Sequence, residues 1–229
     1  VAILGFNSPE WFLCNMAAIM AGGVSVGIYT TNSTEICEYI INDSGSTIVI
    51  VENNEYLKKI LDIPKEKRSN IKAIIQYTNE PLTKEKGIFS WKEFVLISDQ
   101  VAIKNDYVNE TVGKIDPHQC STLIYTSGTT GNPKGVMLSH DNIIWTTTTV
   151  LNTVSLNSDN PQKVVSYLPL SHVAGQMVDI YMPLINGGET WFAKPSALKG
   201  TLIDTLKIAQ PTIFLGVPRV WEKIMEKMR

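Results

Sequence analysis

Residues 120–135 read CSTLIYTSGTTGNPKG, an apolar run that passes directly into a loop of glycines, hydroxyl residues and one lysine. The first half predicts a buried β-strand over 121–126. In an open α/β sheet the carboxyl ends of strands are where ligands collect, so the loop that follows is a candidate site. Gly128, Gly131 and Gly135 permit positive φ or a close approach to the backbone. Thr126, Ser127, Thr129 and Thr130 supply hydroxyls, and Lys134 a mobile ammonium. Backbone amides, hydroxyls and an ammonium together suit a chain of phosphates. Loops of this composition are ordinary turns in most proteins; its length, its lysine and the strand before it favour a polyanion. The G-x-x-x-x-G-K-[ST] phosphate loop does not fit, because Gly128 and Gly131 are too close and Gly135 follows Lys134. The G-x-G-x-x-G fingerprint is also absent from the chain.

Outward from this stretch, short apolar runs alternate with helical ones. Strands are expected at 1–4, 24–28, 46–51, 71–76, 163–168, 190–193 and 212–216. Strands this uniformly apolar are buried on both faces, so the fold class is α/β, with largely parallel sheets flanked by helices. Asn32 to Glu35 and Ser90 to Glu93 have capping-box spacing. Pro218 suits a first helical turn. Residues 77–90 and 104–118 are polar and read as surface excursions, and a subdivision into 1–110 and 111–229 is expected near the second.

Composition narrows the class. With 44% hydrophobic and 18% charged residues, 229 residues can bury a sizeable core. A net charge of −2, with no basic stripe, argues against nucleic acid as a partner. Cys14, Cys37 and Cys120 are widely spaced within apolar runs, which points to buried thiols in a reducing compartment rather than to a metal site. Residues 11–29 are apolar enough to be mistaken for a membrane span, but Asn15 and the pair Gly22-Gly23 divide them into a helix and a strand. The chain starts inside a strand-like run and stops in a charged helix, as a piece of a longer protein would.

A second constellation is SYLPLSHVAGQM at 166–177. Pro169 ends a strand, Ser171 is placed to cap a helix, and His172 falls in its first turn. His172 and the hydroxylated loop are then both expected beyond strand ends, facing one crevice.

On these residues the chain resembles the adenylate-forming, AMP-binding superfamily of acyl- and aryl-CoA synthetases. YTSGTTGNPKG matches the signature loop of that family. AGGVSVGIYTTNS, SYLPLSHVAGQM, ALKGTLIDTLK and AQPTIFLGVPRVWEKI are most similar to its bubblegum-type long-chain branch. The resemblance spans the whole chain and implies a fragment of the large N-terminal domain, without the C-terminal lid. It implies activation of a long-chain fatty acid by ATP to acyl-AMP, then transfer to coenzyme A; a short, aromatic or amino acid substrate is the alternative within the superfamily. A non-catalytic protein that keeps a synthetase fragment is the alternative outside it. By the resemblance, Thr126, Ser127, Gly128, Thr129, Thr130, Gly131, Asn132, Pro133 and Lys134 hold the β- and γ-phosphates. Thr126 lies near Mg²⁺, Lys134 assists the leaving group, and His172 stands at the mouth of the acyl pocket. Some long-chain members carry an aromatic gate four residues after that histidine; here Gln176 holds the place. No Gly-x-Thr-Glu string for the Mg²⁺-binding glutamate occurs, so residues 1–229 alone are expected to be inactive. The resemblance implies a cytoplasmic protein and leaves peripheral contact with a membrane face open.

Overall fold

The computed structural model describes residues 1–100, 106–126, 131–154 and 161–228. They form two compact units, Val1–Asn142 and Ile143–Arg229.

The first unit is built on seven strands: β1 (Ala2–Leu4), β2 (Ser25–Ile28), β3 (Ile48–Val51), β4 (Ala73–Gln76), β5 (Ile88–Ser90), β6 (Cys120–Thr126) and β7 (Lys134–Ser139). Their order across the sheet is β5-β4-β3-β1-β2-β6-β7. Every pairing is parallel except β6 with β7. The pleat sends Ala2, Leu4, Val26, Ile28, Val49 and Val51 into one core, where they meet Cys37, Ile40 and Ile41 of α2 (Thr34–Asp43) and Leu57 and Ile60 of α3 (Asn54–Leu61). Trp11, Cys14, Ala18 and Ile19 of α1 (Pro9–Met20) are buried as well. Both faces are therefore covered, as the continuous apolar strands require. The apolar stretch 11–29 resolves into α1 and β2, joined through Gly22 at φ 75°. Among the described residues no helix is long and apolar enough to cross a membrane. Burial pushes the Cys14 thiol up to about 12 and that of Cys37 up to about 11, which leaves both inert at neutral pH.

The second unit pairs β8 (Lys163–Ser166) with β9 (Glu189–Phe192) in parallel. Its core joins Val165, Tyr167, Ala193, Ala197, Leu202, Ala209 and Val220. Tyr167 stacks on Phe214 at 5.4 Å, and Phe214 meets Trp221 edge-on at 5.3 Å.

The structure differs from the sequence reading at several points. The compact units part between Asn142 and Ile143, whereas the sequence suggested a subdivision near residue 110, because β6 and β7 hydrogen-bond into the first sheet. Residues 212–216 are not a strand. Thr212 and Ile213 donate to the Lys163 carbonyl, and there the pairing ends. The chain then wraps the aromatic stack: Tyr167 Oη donates to Leu215 O, and Trp221 Nε1 to Gly216 O. The excursions contain short elements that polar composition hid, β5 in the first and α5 (Asp106–Val112) in the second.

Helix starts fared unequally. The Ser90–Glu93 box forms as read: Ser90 N donates to Glu93 Oε2 at 2.8 Å, and Glu93 N to Ser90 Oγ at 3.3 Å. The α2 cap is Ser33, one residue beyond the expected Asn32.

Candidate functional site

The hydroxylated loop is the tip of a hairpin. β6 and β7 pair from Ile124↔Val136 through Tyr125↔Gly135 to Thr126↔Lys134. Directly opposed residues leave the same face of a sheet with Cβ atoms roughly 5 Å apart. Thr126 and Lys134, both exposed, therefore bring a hydroxyl and an ammonium together where the ladder ends. The lysine at the start of β7 has no carboxylate partner among the described residues. Strand β7 was not expected from the sequence, because its exposed Val136 and Met137 do not read as a buried strand.

Two of the glycines do different work. Gly131 sits at φ 99° with open space where a Cβ would project, so the turn needs its backbone freedom. Gly135 lies over the Tyr125 ring, where a Cβ would meet the ring at 3.0 Å. Its function is close approach. Asn132 and Pro133 complete the described part of the tip, Asn132 exposed. Ser127, Gly128, Thr129 and Thr130 lie outside the described residues.

The hairpin base is anchored by a residue that the sequence did not single out. Tyr125 is buried, and its Oη donates to Asp43 Oδ2 at 2.6 Å, at the last residue of α2. Burial first, and the Asp43 carboxylate after it, push the phenol well above its usual range. The two partners are 82 residues apart, and no local pattern links them.

A Mg²⁺ ion implied by the resemblance has Thr126 as its candidate ligand. One exposed hydroxyl fits an ion that keeps most of its water and phosphate ligands. Among the described residues no group of three or more His, Cys, Asp or Glu could hold a metal.

In the second unit, His172 is itself the cap of α7 (Val173–Gln176), the place the sequence reading gave to Ser171. Ala174 N donates to His172 Nδ1 at 3.1 Å, so the neutral ring carries its proton on Nε2. Ser171 is buried beside it. α7 runs into a π-turn, Met177–Tyr181, and then into α8 (Met182–Asn186). Wide turns of this kind recur at functional sites.

Buried polar groups lock this segment to the strand end. Gln176 is 1% exposed, and its Nε2 donates to Leu170 O at 2.9 Å. That places the side chain inside the fold, tying the Pro169–Ser171 turn to the helix. Gly175 lets the helix press on the same turn: a Cβ there would stand 2.5 Å from Pro169 O. Asp179, 5% exposed on the π-turn, takes a hydrogen bond from Ser166. Burial drives its carboxyl up to about 7 against that bond.

The sequence profile of the AMP-binding enzymes matches residues 1–229. The long-chain-fatty-acid–CoA ligase ACSBG2 of Gallus gallus is 52% identical over the whole chain, which covers 30% of that protein. The Homo sapiens protein of the same name is 49% identical, again over the whole chain, with 34% of it covered. The chain thus spans about a third of the length of these relatives. Among solved structures, the anthranilate CoA ligase AuaEII in complex with anthranoyl-AMP superposes with a TM-score of 0.73 at 20% identity, over 93% of this chain and 39% of that one.

Proposed function

As this chain belongs to the AMP-binding enzyme family, we propose that its parent protein activates a long-chain fatty acid with ATP and passes the acyl group to coenzyme A. The observation that carries this reading is the hairpin mouth, where Thr126 and Lys134 face one another beside a turn that needs Gly131. Its support is the identity with the ACSBG2 ligases over the whole chain.

In the first step a carboxylate oxygen attacks the α-phosphorus of ATP. The bond from that phosphorus to the bridging oxygen breaks, and pyrophosphate leaves with the electron pair. Charge grows on the departing oxygens, and donors already aimed there lower the barrier most. Lys134 supplies that charge from a strand end, at no cost of reorganising a free loop. Thr126 to Pro133 hold the β- and γ-phosphates, with Thr126 at the Mg²⁺ ion. Thr126 would hold a Mg²⁺ ion there, and the ion would supply positive charge to offset that growing on the phosphates. In the second step the coenzyme A sulfur attacks the acyl carbonyl, and AMP departs. His172 stands at the acyl end, with Nε2–H as its donor. The enzyme on this reading is cytoplasmic; acids of this length partition into bilayers, which leaves peripheral contact with a membrane face open.

The test is carboxylate-dependent exchange of labelled pyrophosphate into ATP by the complete parent chain, with short, aromatic and long-chain acids. Exchange confined to long-chain acids is expected. Exchange driven by aromatic or short acids alone would move the chain to another branch, and none with any acid would end the reading.

A further inference from the structure

Beside the hairpin lies a second turn. β2 runs parallel to β6, and the last paired position is Gly27 opposite Ile124; extended two residues beyond it, the register brings Tyr29 alongside Thr126. Neighbouring strands are about 4.8 Å apart. The turn Tyr29–Ser33, closed by Asn32 N donating to Tyr29 O, therefore leaves the sheet next to the mouth of the phosphate hairpin. It too is rich in hydroxyls: Thr30, Thr31 and Ser33.

This turn is held from outside itself. Lys59 of α3 donates from Nζ to Thr30 O at 2.9 Å and to Asn32 O at 3.0 Å. Its ammonium also lies 5.4 Å from the Tyr56 ring centre, and Tyr56 shares a hydrogen bond with Thr30. Tyr56 and Lys59 sit three apart on one face of α3, which is why both reach the same turn. A half-buried lysine spent on two backbone carbonyls is an unusual use of a charge, since an exposed ammonium keeps its hydration. From Ser33 the chain enters α2, whose far end, Asp43, holds Tyr125. Lys59 thus fixes the start of a helix whose end anchors the hairpin base.

We propose that Lys59, with Tyr56, is a positioning residue of the nucleotide site: it clamps the Tyr29–Ser33 turn beside the hairpin mouth formed by Thr126 and Lys134, so that the exposed Thr31 hydroxyl serves the same phosphate-bearing ligand. The inference rests on the ATP-dependent reading above for its ligand, and on hydrogen bonds alone for its mechanics.

The test uses the complete parent chain with Lys59→Met, which keeps length and loses the donors, Lys59→Arg, which keeps them, and Thr31→Val. Hydrogen exchange reads the mechanics without any activity. Bonds from a charged donor are worth enough that Lys59→Met should speed exchange about tenfold or more at the Asn32 amide, which closes the turn, and in step at the hairpin-closing amides of 125–126 and 134–135. Faster exchange at Asn32 alone would overturn the coupling. Pyrophosphate exchange reads the ligand: Lys59→Met should raise KM for ATP about tenfold with kcat nearly unchanged, Thr31→Val should raise it several-fold, and Lys59→Arg should restore it. A fall in thermal stability with KM for ATP unmoved would make Lys59 merely structural. A wild type that exchanges no pyrophosphate would indict the ATP reading, while the hydrogen-exchange pattern still judges the clamp.

Discussion

The hairpin that carries Lys134 and the segment that carries His172 both present a polar side chain beyond a strand end, yet they hold it by different means. Lys134 is placed by strand register, which β6 inherits from a sheet buried on both faces. His172 is placed by side chains and close backbone contact: its own cap, Gln176 on Leu170, Gly175 against Pro169, and Asp179 on Ser166. A ladder spreads its strength over many weak bonds, so one substitution shifts it little. A lock built from a few buried polar groups is sensitive to each, because an unmet buried group costs far more than a met one gains.

The sharpest way to break this contrast is through Asp179. Its folded value, about 7, stands above the ordinary 3.8, so the folded chain keeps this proton where the unfolded chain has lost it. Stability from this group is full below about pH 4 and is lost as pH rises to about 7. Asp179→Asn should abolish that decline and leave the chain more stable than wild type at pH 8 by roughly a few kcal/mol, read by urea unfolding across pH. An unchanged slope would mean that the carboxyl is not buried as described. Next in size is Gly175→Val, whose side chain must displace the Pro169 carbonyl. A loss of about 3 kcal/mol is expected from overpacking, and a neutral result would remove the close contact from the account. The smallest effect belongs to the hairpin side. Tyr125→Phe removes the bond to Asp43 and should cost about 1 kcal/mol. A loss as large as that at Gly175 would erase the distinction between ladder and lock.

The same contrast explains what the sequence disclosed. The parallel sheet was legible because burial on both faces forces continuous apolar runs, and the glycine-rich tip because few residues take such backbone angles. Strand β7 was not, since Lys134 and Gly135 open it and its exposed Val136 and Met137 carry no burial pattern. In the second unit the histidine was legible as a residue but not as a cap, because Ser171 is the commoner capping type and local rules favour it. Gln176 read only as a departure from the aromatic gate of some long-chain members; the fold showed its amide bonded to a carbonyl six residues back. Asp43, Lys59 and Asp179 act over distances in sequence that no periodicity spans.

The central claim is that the Thr126–Lys134 hairpin holds the terminal phosphates of ATP while a carboxylate is activated. The most direct measurement is palmitate-dependent pyrophosphate exchange by the complete parent chain, with Lys134→Ala beside the wild type and unfolding followed on both. Loss of one preorganised donor predicts exchange slowed by about a hundredfold or more with stability unchanged, since Lys134 is exposed at a strand end. Undiminished exchange in Lys134→Ala would contradict the claim.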